Sequence, residues 1–126
     1  MLFPPKQNQR QQKVRNERIK TISESIYTIA KAMEQQQCDL SEGVIRIVNL
    51  LGALPILSPP DHKASYPHTY ALFVEVSGFA VLEDRQKLSK QEKRKQDIAR
   101  EQIESDYESK VLSEMPAIKA YCQSII

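Results

Sequence analysis

Five apolar residues, Ile19, Ile22, Ile26, Ile29 and Met33, recur at intervals of three, four, three and four along an otherwise polar stretch. Those intervals put them on one stripe of an α-helix. No glycine or proline interrupts residues 7–37, so the pattern predicts one long helix there. Isoleucine is a mediocre helix former because its branched Cβ crowds the preceding turn, and its repeated use on one side is therefore a packing signal. The stripe needs a partner. Leu40, Val44, Ile47, Val48, Leu51 and Leu54 supply a second, wider apolar face, with Asp39 placed to cap it and Glu42 three residues on. A helical hairpin follows, its second arm ending near Leu54, because Pro55 disfavours helical geometry in the residue before it.

Residues 55–68 carry Pro55, Pro59, Pro60 and Pro67 and read as an extended connector, with His62 and His68 as solvent-exposed loop residues. The segment 69–84 has two readings. As strands, Tyr70 to Val76 and Phe79 to Glu83 would pair across Ser77-Gly78, but a lone hairpin needs a third strand or a covering helix, and no other strand candidate exists. As a helix it is apolar nearly all round, which implies burial. The helix is the preferred reading. Ser89 and Glu92 then form a capping-box pattern that opens a helix from about Lys90 to about Glu114, where Ala99, Ile103, Tyr107, Val111 and Met115 follow a spacing of four. Pro116 is expected to stop or kink it, leaving Ile118, Tyr121, Cys122 and Ile125 on one side of a short terminal helix. The fold class is mainly α: one domain over 1–126, with an N-terminal helical hairpin, a Pro-rich connector, a long C-terminal helix and a flexible basic segment at 1–18. The alternative is α+β with a hairpin at 69–84.

Composition sharpens this picture in two places. Only 6% of the 126 residues are aromatic and Trp is absent, so the core should be aliphatic. Cys38 and Cys122 are far apart and in no C-x-x-C pattern, which reads as two buried or partly buried free thiols in a reducing compartment. Two prolines and a Gln-rich basic run stand where a signal peptide would need an apolar core. The most apolar stretch, 44–57, is interrupted by Arg46, Asn49, Gly52 and Pro55 and falls short of the roughly 20 apolar residues that span a bilayer. The expectation is a soluble, cytoplasmic protein with no membrane partner.

Candidate chemistry is sparse. Gly43, Gly52 and Gly78 are isolated, so neither phosphate-binding glycine pattern occurs. His62 and His68 have no ligand at zinc-site spacing, and neither cysteine sits in a nucleophile motif. No cofactor, metal site, catalytic residue or enzymatic activity is expected. Charge is more informative. Residues 1–20 net +5 and residues 85–100 net +5, set against −5 for 21–84 and −3 for 101–126. Two function classes fit. The first is a non-catalytic protein-binding adaptor or inhibitor acting through helical surfaces, with Ile19, Ile22, Ile26, Ile29, Met33, Ile103, Tyr107 and Val111 as the interface and a homodimer as one outlet for surplus apolar stripe. The alternative is an accessory or regulatory nucleic-acid binder using basic segments 6–20 and 85–100, through Lys6, Arg10, Lys13, Arg15, Arg18 and Lys20 and through Lys90, Lys93, Arg94 and Lys95. The scarcity of aromatic residues in both segments argues against a single-strand reader.

Overall fold

A computed structural model describes residues 5–79 and 85–126, with the side chains of residues 5–7 outside the described set. The helices that lie wholly within the described residues are α1 (Pro5–Glu34), α2 (Leu40–Ala53), α3 (His62–Ser65), α4 (Pro67–Val76) and α5 (Lys90–Ser124). Among the described residues there is no strand, and the fold is mainly α, with the helical hairpin and long C-terminal helix that the pattern predicts. Four helices close a ring: α1 packs on α2 and α5, and α4 seals the other side against the same two. The core they enclose is aliphatic, built on Ile26, Met33, Ile47, Leu72, Met115 and Ile118.

The α1–α2 turn is set locally. Gln36 takes a left-handed conformation with φ 56°, and the Gln37 N–H reaches back to the Ala32 carbonyl at 2.8 Å, which satisfies an orphan carbonyl at the end of α1. Asp39 then caps α2 by accepting from the Glu42 N–H at 3.2 Å. Gly43 brings the two helices together: a Cβ there would sit 2.4 Å from Met33 Sδ and 2.7 Å from its Cγ. Only glycine leaves room for this methionine.

The segment that had two readings is helical over α4. Pro67 occupies the first turn, where its missing N–H costs nothing. Residues 80–84 lie outside the described residues, and with them most of the second strand of the hairpin alternative. The cap of α4 comes from elsewhere in the chain: Glu114 on α5 accepts from the His68 N–H (3.0 Å), the Thr69 N–H (2.8 Å) and the Thr69 hydroxyl (2.7 Å). A carboxylate thus sits on the positive end of α4 and fixes it to α5.

Three expectations need correction. The connector is not wholly extended, because Asp61 caps the single turn α3 through the Ala64 N–H. His62 is not a solvated loop residue: it is 9% exposed, stacked on Tyr66 and edge-on to Tyr121 with ring centres 5.2 Å apart. And α5 does not end at Pro116. It runs through to Ser124, because Val111, Met115, Ile118 and Cys122 continue one buried stripe at spacings of four, three and four. Burying that stripe offsets the roughly 3 kcal/mol that an interior proline costs.

Candidate interaction surface

The apolar residues read as a partner interface are largely consumed by the fold. Ile26, Ile29, Met33 and Val111 are buried in the chain's own core, while Ile19, Ile22, Ile103 and Tyr107 are half-buried against it. The stripes Ile19–Met33 and Ala99–Met115 are longer than one short antiparallel partner covers, but α5 does not stop at Pro116. Its continuation covers α1 beside α2, and little apolar stripe is left over. Lys119 reinforces this seam, pairing with Glu34 and lying 5.8 Å from the centre of the Tyr27 ring.

What the fold leaves uncovered is the first half of α1. From Asn8 to Arg18 every side chain is exposed except Arg15, which is half-buried. At 1.5 Å per residue this arm is about 16 Å long. It carries Arg10, Lys13, Arg15 and Arg18, followed by Lys20, with Glu17 as its one acid. None of the five cations joins an ion pair among the described residues. Lys6 belongs to the same run, but its side chain is outside the described set. The first turn of α1 carries no acid, and like charges follow one another along the arm at helix-neighbour spacings, Lys6 with Arg10, Arg10 with Lys13 and Arg15 with Arg18. Val14, 64% exposed, lies among the arginines, and Pro55 at the end of α2 closes one side of a hollow of about 380 Å³ that Arg10, Val14, Arg15 and Arg18 line.

The second basic block has a different character. Arg85 is a structural residue, gripping both carboxylate oxygens of Asp97 at 2.8 and 2.9 Å and reaching Gln96 at 3.1 Å. Its hydrogen bond holds the Asp97 carboxyl below the usual range. Arg100 pairs with Glu104 at 3.6 Å, and Glu104 also accepts from the buried Ser41. Lys90, Arg94 and Lys95 are exposed and Lys93 is half-buried, all without ion pairs among the described residues. The side-by-side placement of Tyr27 with Cys122, and of Ile19 with Ile125, shows that α1 and α5 run antiparallel. The two basic blocks therefore lie at opposite ends of the bundle, about 60 Å apart along the rods, and form no common surface.

The groups that carry covalent or metal chemistry are placed elsewhere. Cys122 is fully buried, and desolvation pushes its thiol up to about 11; burial also raises the half-buried Cys38. Neither is a ready thiolate at neutral pH. Among the described residues no three His, Cys, Asp or Glu side chains gather into a metal-holding group, and no helix is long and apolar enough to cross a membrane. A groove of about 910 Å³ between α2, α4 and α5 combines Ile45, Phe73 and Phe79 with Arg46, Arg85 and Arg100, but two of those arginines are already committed to Asp97 and Glu104.

A family model described as a protein of unknown function, DUF2489, matches residues 4–118. The chain belongs to the DUF2489 family. An uncharacterized protein of Haemophilus influenzae is 35% identical to it over 103 residues, covering 82% of this chain and 67% of that relative. No solved structure matches. The DUF2489 match takes in all of α1 from its first turn, so the basic arm belongs to the family's region as fully as the bundle does.

The arm could be found in the sequence as an isolated charge run, but its overhang could not. That property depends on where α2 and α5 end relative to α1. The Glu114 cap was equally hidden, since a glutamate on a polar helix face carries no sign of a partner 45 residues away.

Proposed function

We propose that this DUF2489 protein is a non-catalytic adaptor that binds another protein through the exposed amino-terminal half of α1. The observation that carries the reading is an exposed helical arm with five cations that meet no acid among the described residues, around an exposed Val14. An exposed helix of this length is marginal by itself in water, and its first turn carries no acid. Its composition is explained by an anionic contact rather than by its own stability. Arginine beside apolar surface is the pattern of protein interfaces, where a central apolar anchor is ringed by charge.

A photo-crosslinking residue at position 11, in the full chain and in cells, tests this. Discrete protein adducts are expected, and they should disappear when Arg10, Arg15 and Arg18 are reversed to Glu. Adducts that survive the reversal, or none at all, would refute the reading.

The five cations, unpaired among the described residues, also favour a second reading, nucleic-acid binding, and salt separates the two. A contact neutralising about six phosphates gives a log-log salt slope near −5, whereas a partly apolar helix interface responds far less. Mixed-sequence duplex DNA titrated at two salt concentrations, beside a variant with Lys13, Arg15 and Arg18 reversed, distinguishes them.

A further inference from the structure

Resting on the arm as a protein-binding surface, we infer that its partner is an acidic amphipathic helix carrying a carboxylate one turn to either side of an apolar anchor. The recognition element is a row on α1. Arg10, Val14 and Arg18 follow at intervals of four and therefore stand one above the other on the same side of the helix. The row is about 12 Å long, cation, apolar, cation. Arg15 flanks it, and Pro55 forms a wall on the α2 side. Leu57, two residues on, is 82% exposed and extends the apolar surface of the same connector.

Charge complementarity selects the occupant. Three arginines with no carboxylate partner among the described residues call for an anion with planar, fork-accepting groups, which aspartate and glutamate supply. An isopropyl group in the middle of the row calls for something apolar to cover it. A helix bearing Glu, an apolar residue and Glu at the same spacing of four matches all three positions at once. A phosphate backbone would match the arginines and leave Val14 facing a charged strand, so nucleic acid is the poorer occupant. A second copy of the arm would bring cation against cation.

The probe is a synthetic 20-residue helical peptide with Glu one turn before and after a Leu, titrated by fluorescence anisotropy against the full chain. Controls are the same peptide with that Leu changed to Ser, polyglutamate, and mixed-sequence duplex DNA at one ionic strength. The Glu/Leu peptide should bind at least tenfold more tightly than its Ser version or polyglutamate. Val14→Ser should weaken it by about tenfold, Arg10→Glu with Arg18→Glu should abolish it, and Lys110→Glu on the exposed face of α5 should leave it unchanged. Circular dichroism of each variant checks that the bundle is intact. Equal binding of polyglutamate or DNA with no effect of Val14→Ser overturns the acidic-helix assignment while leaving the arm a binding surface. Failure of every probe while the position-11 adducts persist also overturns it and leaves the adaptor reading standing; loss of the adducts removes both.

Discussion

Replacing Glu114 with alanine should be among the most damaging single changes in this protein, although the residue lies on a helix whose sequence looks like a solvated rod. The carboxylate accepts three hydrogen bonds, two of them from Thr69, which has no exposed surface. Truncation leaves the Thr69 N–H and hydroxyl without partners or water. Each buried donor so abandoned costs about 1–3 kcal/mol, while His68, half-buried, recovers part of its loss from solvent. The expected total is about 3–5 kcal/mol, a large share of the roughly 5–15 kcal/mol that holds a domain together. Glu114→Gln separates shape from charge: it keeps one acceptor oxygen for Thr69 but turns an amide N–H₂ toward the His68 N–H, so about 1–2 kcal/mol is expected. In the alanine background, Thr69→Val removes one stranded donor and should recover about 1 kcal/mol. Urea denaturation followed by circular dichroism reads all four chains, with unchanged m-values required for the comparison. If Glu114→Ala costs less than about 1 kcal/mol, or no more than Glu114→Gln, the carboxylate does not anchor α4.

Four further outcomes are expected. Gly43→Ala should destabilise by about 1–2 kcal/mol, because the new methyl meets a buried Met33 at 2.4–2.7 Å and outweighs the gain in helix propensity; in a Met33→Ala background the same change should stabilise. His62 is held below its ordinary value, chiefly by burial and against the pull of Asp61. The unfolded chain therefore takes up that proton first, so the stability linked to His62 is complete above about pH 6.5 and falls at lower pH by up to about 1.4 kcal/mol per unit; His62→Phe should flatten that slope in acid titration. Asp97, depressed by Arg85, adds its own loss only further down, as pH falls below about 3.8, and Asp97→Asn should remove that later component. Reversing Arg10, Arg15 and Arg18 to Glu should raise the helix content or melting temperature slightly, by a few tenths of a kcal/mol, because position 10 then opposes Lys6 and Lys13 at helix-neighbour spacing, while abolishing binding at the arm.

Helix periodicity made most of this architecture legible, and the failures share one physical origin. The stripe from Ile19 to Met33, the face from Leu40 to Leu54 and the Ser89–Glu92 capping box all encode local geometry, and each reappears in the structure, the box with both of its hydrogen bonds formed. His62, Pro116 and Glu114 were misread or passed over because their roles are set by residues distant in the chain. A histidine among prolines looks solvated until Tyr66 and Tyr121 enclose it. A proline looks like a helix end until a stripe on both sides of it is buried. Surplus apolar stripe was likewise a misreading of length: once α5 continues to Ser124, α1 has two neighbours instead of one.

Removing that surplus shifts attention to the surface whose design opposes folding. Several charges elsewhere are tied into the fold: Arg85 with Asp97, Arg100 with Glu104, Lys119 with Glu34, Glu114 with the amino end of α4. The arm crowds like charges at helix-neighbour spacings and leaves Val14 in water. A protein under selection for stability alone would gain from an acid at position 10, between Lys6 and Lys13. If the arm-reversed variant is more stable than the natural chain, the natural cations are retained at a cost to the fold, and contact with an anionic partner accounts for that cost. If reversal destabilises instead, the arginines are holding α1 to the bundle, and the case for the arm as a docking surface fails on stability grounds before any partner is tested.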